Sequence, residues 1–160
     1  MGRANEPSAV KRDLLRLATE FRHAIQQSDN VPDVLRSRFQ RFPTDMCEFA
    51  SNLLGRYLTG EGFENVRYVC GSRRLRARYN DQRHAWLEAQ GFIIDITADQ
   101  FPDGIGPVVV TEDRSWHSRF RIFESRDATN LTDYPVAAQR QYDDLFRRVA
   151  GKIAPGPPDS

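Results

Sequence analysis

The sequence predicts an α+β fold, with helices first, then an antiparallel sheet, then a closing helix. Three observations carry this. Apolar residues recur at helical spacing from Val10 to Leu58. The period shortens to strand-like alternation from Val66 onward, and helical spacing returns over residues 134–150. The chain has 160 residues and no internal repeat or low-complexity linker, so a single domain over 1–153 is expected, followed by a disordered tail at 154–160.

The elements follow in order. Over residues 8–28, Val10, Leu14, Leu17, Ala18, Phe21 and Ile25 form one apolar face, with Arg12, Arg16 and Glu20 opposite. Ser28-Asp29-Asn30 ends that helix, and Pro32 opens a short second one through Phe39. Phe42-Pro43 breaks the chain again. A third helix is expected from Thr44 or Asp45, with Asp45 as N-cap and Glu48 three residues on as a capping-box partner. Ala50, Leu53, Leu54, Tyr57 and Leu58 give its buried stripe, and Gly60 and Gly62 end it. Val66, Tyr68 and Cys70 then alternate as a strand. Gly71 to Asn80 is basic and irregular, a hairpin or lid. His84–Ala89 and Phe92–Ile96 read as two strands joined by Gln90-Gly91, a tight-hairpin signal. Residues 108–111 and 119–123 are two further strands, and 134–150 is the last helix.

Composition excludes several functions. The 23 Lys+Arg balance 22 Asp+Glu, so the net charge of +1 gives no general pull toward nucleic acid. The absence of an apolar run of about 18 residues argues against a membrane span, and Met1–Pro7 lacks the apolar core of a secretory signal. A cytoplasmic location is therefore expected, with Cys47 and Cys70 reduced and unbridged. His23, His84 and His117 show no metal-ligand spacing with the cysteines, so no metal and no cofactor are expected.

Cys47, His84 and Asp95 stand in the order nucleophile on a helix, base on a strand, carboxylate on the next strand. A helix's first turn offers unpaired N–H groups and the positive end of the dipole, which favour a thiolate. A hairpin centred on Gln90-Gly91 pairs residues whose numbers sum to about 181. Glu88 then faces Ile93, Trp86 faces Asp95, and Asp95 lies diagonal to His84. Asp95 is set among Phe92, Ile93, Ile94 and Ile96, where a carboxylate needs partners. Its expected role is to orient the imidazole through Nδ1–H. Taken singly, each residue has a commoner structural reading: a small buried thiol, a strand histidine, a satisfied acid. It is the combination that points to covalent chemistry.

Phe42-Pro43-x-x-x-Cys47, His84-Ala85-Trp86-Leu87-Glu88 and Ile93-Ile94-Asp95-Ile96-Thr97 together resemble the transglutaminase-like branch of the papain-like cysteine enzymes. The resemblance covers residues 42–101. It implies a papain-like core in which a cysteine-bearing helix packs on an antiparallel sheet, with Cys47 as nucleophile, His84 as general base and acid, and Asp95 as orienter. It also implies a thiol hydrolase acting on an amide bond, of cysteine protease or glutamine deamidase type, with a peptide or protein substrate. Gln40, upstream of Cys47, and Gln100 are candidate oxyanion-hole side chains, beside the Cys47 backbone N–H, and Trp86 is a candidate substrate contact. The rival from another class is a non-catalytic module on the same fold, holding a partner segment in a cleft lined by Trp86, Phe101 and the arginines Arg73, Arg74, Arg76 and Arg78. Those arginines read first as a solvated, mobile hairpin, and Trp116-His117 as surface strand residues, with a second catalytic histidine at His117 as the alternative.

Overall fold

The computed structural model describes residues 6–74 and 81–153. Three helices come first: α1 (Pro7–Gln26), α2 (Asp33–Gln40) and α3 (Cys47–Gly60). Five strands follow, β1 (Arg67–Arg74), β2 (Asp81–Ala89), β3 (Phe92–Asp95), β4 (Val109–Thr111) and β5 (Arg121–Asp127), and then α4 (Val136–Ala150). Single turns of 3-10 helix interrupt the strands at Ala98–Gln100 and His117–Arg119. The α+β class and the order of elements agree with the sequence. Arg76, Arg78 and the expected tail at 154–160 lie outside the described residues.

The strands form one antiparallel sheet in the order β4-β3-β2-β1-β5. The β2–β3 hairpin turns through Gln90 (φ 55°) and Gly91 (φ 81°), the two left-handed residues that a two-residue turn matched to strand twist requires. Its pairs are Leu87↔Ile94, Glu88↔Ile93 and Ala89↔Phe92, which is the register the sequence gives. Strand β1 extends to Arg74, so the first four residues of the expected lid, Gly71 to Arg74, are sheet.

Because side chains alternate across a sheet, the two faces carry different cores. On one face Ala85, Leu87, Ala89, Phe92 and Ile94 join Leu14, Phe21, Leu53, Leu54, Leu58 and Leu145. Helix α3 lies against β2 between α1 and α4 and is buried on nearly every side, from Ala50 to Gly55 and at Leu58. On the other face Val69, Trp86 and Ile93 meet Ala98, Val109, Trp116 and Phe120 in a smaller, aromatic cluster. Composition gives no hint of this second core. The segments that build it are the irregular 97–108 and 112–120, which have no periodicity to read.

The helix carrying Cys47 begins differently from expectation. Met46, not Asp45, is the N-cap, and no side chain caps the helix. Asp45 sits in the left-handed region (φ 58°) and Glu48 instead accepts a hydrogen bond from the Tyr134 hydroxyl at 2.7 Å. The expected capping box is absent because Asp45 turns the chain rather than entering the helix. Cys47 is therefore the first helical residue.

Close approach of α3 to the β5–α4 connection depends on Gly55. A Cβ there would lie 2.5 Å from the Cβ of Ala128, which is itself buried. Gly55→Ala is expected to destabilise the protein by about 1–3 kcal/mol through overpacking, despite alanine's higher helix propensity. Urea unfolding measures this; an unchanged or raised midpoint would show that the helix can move away freely.

A buried histidine–carboxylate–histidine cluster beside Cys47

Asp95 is the last residue of β3 and is 1% exposed. A lone carboxylate at that depth would shed its charge, because burial penalises the ionised form. It does not stand alone. His84 Nε2 donates to Oδ2 at 2.6 Å, His117 Nε2 donates to the same oxygen at 2.7 Å, and the Thr97 backbone N–H donates to Oδ1 at 3.0 Å. Burial works against the anion, but the charge of His84 and the hydrogen bonds from His117 and His84 outweigh it and hold the Asp95 carboxyl well below the usual carboxylate range.

The same bond acts on His84, which has no exposed surface. Burial alone would favour the uncharged ring. The charge and hydrogen bond of Asp95, followed by the interaction with the Cys47 thiol, overcome that and push His84 up to about 9. Aromatic rings close the remaining sides: Trp86 at 5.7 Å, Phe101 at 5.0 Å, Trp116 at 5.6 Å and Phe120 at 5.6 Å between centroids. They exclude water, so the electrostatic pull of Asp95 is little screened.

The carboxylate sits on Nε2 and not on Nδ1, the nitrogen expected from sequence. The diagonal hairpin geometry is right, but the ring is turned so that Nδ1 points to the end of the site where Gln100 lies. Gln100 Nε2 donates to His84 Nδ1 at 3.3 Å, while its Oε1 accepts from the Asp45 backbone N–H at 3.3 Å. In this orientation the Asp45 N–H and an uncharged His84 Nδ1 share the two ends of the amide. A 3.3 Å neutral contact is long and weak beside a 2.6 Å bond to a carboxylate. Protonation of Nδ1 requires only that the Gln100 amide turn away.

Cys47, the first residue of α3, lies near enough to His84 to favour the charged form of its ring. The last β2–β3 pair is Leu87↔Ile94, so among the described residues β2 has no strand partner on that side at His84. The start of α3 and the turn at Ala98–Gln100 occupy that opening. Cys47 is half-buried and free, as is Cys70. Burial, with the charge of Cys47 next, pushes the Cys70 thiol up to about 11, which leaves it protonated at neutral pH.

The turn bearing Gln100 is anchored from α1. Arg22, 9% exposed, donates to both carboxylate oxygens of Asp99 at 2.8 and 2.7 Å and to the carbonyls of Ile96 and Pro107 at 2.8 Å, with Phe42 stacked on its guanidinium at 5.0 Å. The sequence places Phe21 and Ile25 on the buried face of α1, and Arg22 beside them is the clue that was missed: a cation at a core-facing position needs a partner.

The other sequence-predicted positions fare unequally. Gln40 ends α2 on the surface, and its side chain takes no part in the hydrogen bonds around His84; Gln100 does. Trp86 is 1% exposed, so it backs the imidazole instead of lining a cleft. Arg73 is not a mobile surface arginine: it bonds Asp103 through two nitrogens at 2.8 and 2.7 Å and stacks over Phe101, Trp116 and Phe120. Arg74 remains exposed. His117, expected at the surface, is 2% exposed and bound to Asp95. His23 is exposed on α1 and distant in role.

His84, Asp95 and His117 are also residue types that take divalent cations, and the fold brings them together without any sequence spacing to announce it. Their present arrangement is a hydrogen-bonded one, with each imidazole aimed at Oδ2 through its own proton. A cation would have to displace both protons in a site closed to solvent. A cavity of about 620 Å³ opens elsewhere, lined by Asn52, Arg56, Thr129 and Gln139, and contains none of these groups.

No family model, curated protein or solved structure matches the chain. None of the helices among the described residues is long and apolar enough to cross a membrane.

The raised pKa of His84 makes stability depend on pH. Relative to a reference value of 6.5, a ring raised to about 9 stabilises the fold fully below 6.5 and loses that contribution as pH rises through 9. Asp95, held low, contributes at every pH above the normal carboxylate range and loses its contribution only in acid. Between pH 6.5 and 9, unfolding free energy is expected to fall by on the order of 1–3 kcal/mol more in the wild type than in His84→Gln. Equal slopes in urea titrations would contradict the His84–Asp95 coupling.

Proposed function

We propose that the chain is a thiol enzyme that cleaves an amide or related acyl bond, with Cys47 as nucleophile, His84 as general base and acid, and Asp95 as the group that orients and charges the ring. The observation that carries this reading is the imidazole itself: it is wholly buried, held at Nε2 by an ionised carboxylate, and under the influence of a thiol at a helix start. A structural histidine needs no half-buried cysteine beside it. The sequence resemblance to the transglutaminase-like branch supports the same assignment.

The chemistry follows from the positions. The Cys47 proton passes to His84 Nδ1, leaving a thiolate at the positive end of α3 facing an imidazolium. The thiolate sulfur attacks the substrate carbonyl carbon and its π electrons move to oxygen. The backbone N–H of Cys47, at the helix start, and the Gln100 amide, once turned off Nδ1, are the donors near that oxyanion. Collapse of the tetrahedral species expels ammonia or an amine, which takes the proton from Nδ1. A water or an acceptor amine then gives its proton to Nδ1 as it attacks the thioester. A peptide or protein side chain is the proposed substrate class, and the reaction is hydrolysis or deamidation.

Limiting iodoacetamide at pH 6, with mapping of the labelled cysteine, tests the reading. Cys47 is expected to react selectively over Cys70, whose buried thiol stays protonated. The rate is expected to fall by about a hundredfold or more in His84→Ala. Slow and equal labelling of both cysteines, unaffected by His84→Ala, would remove the enzyme from consideration.

A further inference from the structure

The geometry points to His117 as a positioning residue: by donating Nε2–H to the oxygen that also receives His84, it fixes the Asp95 carboxylate in the rotamer that serves the catalytic ring. This rests on the thiol-enzyme reading above but concerns a residue which that reading does not use.

His117 comes from the 3-10 turn between β4 and β5, whereas His84 comes from β2, so two separate elements converge on one oxygen. The two rings lie 6.2 Å apart with their planes inclined at 27°, and Oδ2 lies between their Nε2 atoms. At the end of a four-residue strand, His84 on Oδ2 and the Thr97 N–H on Oδ1 restrain the Asp95 carboxylate with one bond to each oxygen. A second donor on Oδ2, from a different element, tightens that restraint about χ2. His117 is itself locked, with Trp86 at 4.9 Å and Trp116 at 4.8 Å from its ring centre. Among the described residues its Nδ1 is buried with no hydrogen-bond partner. That is informative, because a proton on Nδ1 would be a buried donor with nothing to receive it, so the ring proton belongs on Nε2, against Asp95. A histidine serving only to fill space would not sacrifice one ring nitrogen in order to aim the other.

Among the described residues, few charged and titratable groups face this centre. Cys47 approaches His84 from α3, Asp95 lies between the rings from β3, and the Arg73–Asp103 pair lies beyond Phe101, Trp116 and Phe120. Removing a donor from the ionised form of Asp95 makes that carboxylate easier to protonate.

Alkylation of Cys47 between pH 4 and 8, in the full chain, supplies the test. His117→Leu is expected to lower the rate at pH 6 by about tenfold and to move the acid limb of the profile to higher pH, the effect of one lost charge-assisted hydrogen bond. His117→Gln, whose amide N–H can donate to the same oxygen, is expected to restore most of the rate and the limb. A wild-type profile in His117→Leu overturns the inference, and so does a Gln variant as slow as the Leu variant, since that marks a packing role. Nitrogen-15 NMR of the unaltered protein keeps the test independent of variant folding. The proton on Nε2 of His117 supports the inference, and a proton on Nδ1, or its loss on adding one equivalent of Zn²⁺, overturns it. If instead His84→Ala leaves wild-type labelling unchanged, the thiol-enzyme reading fails while the NMR result still reports on His117.

Discussion

A negative charge buried at Asp95 is the constraint from which the rest of the site follows. An ionised carboxylate with 1% of its surface exposed is tolerable only when hydrogen-bond donors replace water. Three donors do so, two of them imidazoles on one oxygen. The consequence runs in both directions. Asp95 stays charged because of the histidines, and His84 is driven toward its charged form because of Asp95. The aromatic cluster of Trp86, Phe101, Trp116 and Phe120 is then more than filler. It keeps the local dielectric low, so that the charges act on one another and not on solvent.

The scaffold meets a precise geometric demand around that charge. The short β3 ends at Asp95, and the chain turns at once through Thr97 into the 3-10 turn that carries Gln100. Arg22 clamps this turn to α1 and stacks on Phe42 in the approach to Cys47. One buried guanidinium thus ties the first helix to both the carboxylate side and the thiol side of the site. Helix α3, packed on nearly all faces, gives Cys47 a fixed origin.

Much of this was legible in the sequence where local rules govern. Helical spacing located α1 and α3, and Gln90-Gly91 gave the β2–β3 register, and with it the meeting of His84 and Asp95, because a two-residue turn leaves no freedom in pairing. What stayed hidden depends on long-range packing. His117 follows an irregular segment and reaches Asp95 from 22 residues away through a turn without periodicity. Arg22 lies on the helix face that spacing marks as apolar, and its partner Asp99 is 77 residues away. Ring orientation was also beyond reach: strand pairing sets how close two side chains come, not which nitrogen of an imidazole faces the acid. At Asp45 a favourable cap residue lost to a backbone requirement, because the turn into α3 needs a left-handed residue there and the amide of Gln100 takes its N–H.

The most direct test of the account is the protonation state of His84 in the resting protein, read by nitrogen-15 NMR of its two ring nitrogens from pH 5 to pH 10. The account expects both nitrogens to carry protons at pH 7 and the ring to titrate near 9, with the transition moving to lower pH in Asp95→Asn. A ring already uncharged at pH 7, titrating alike with and without the carboxylate, would contradict it.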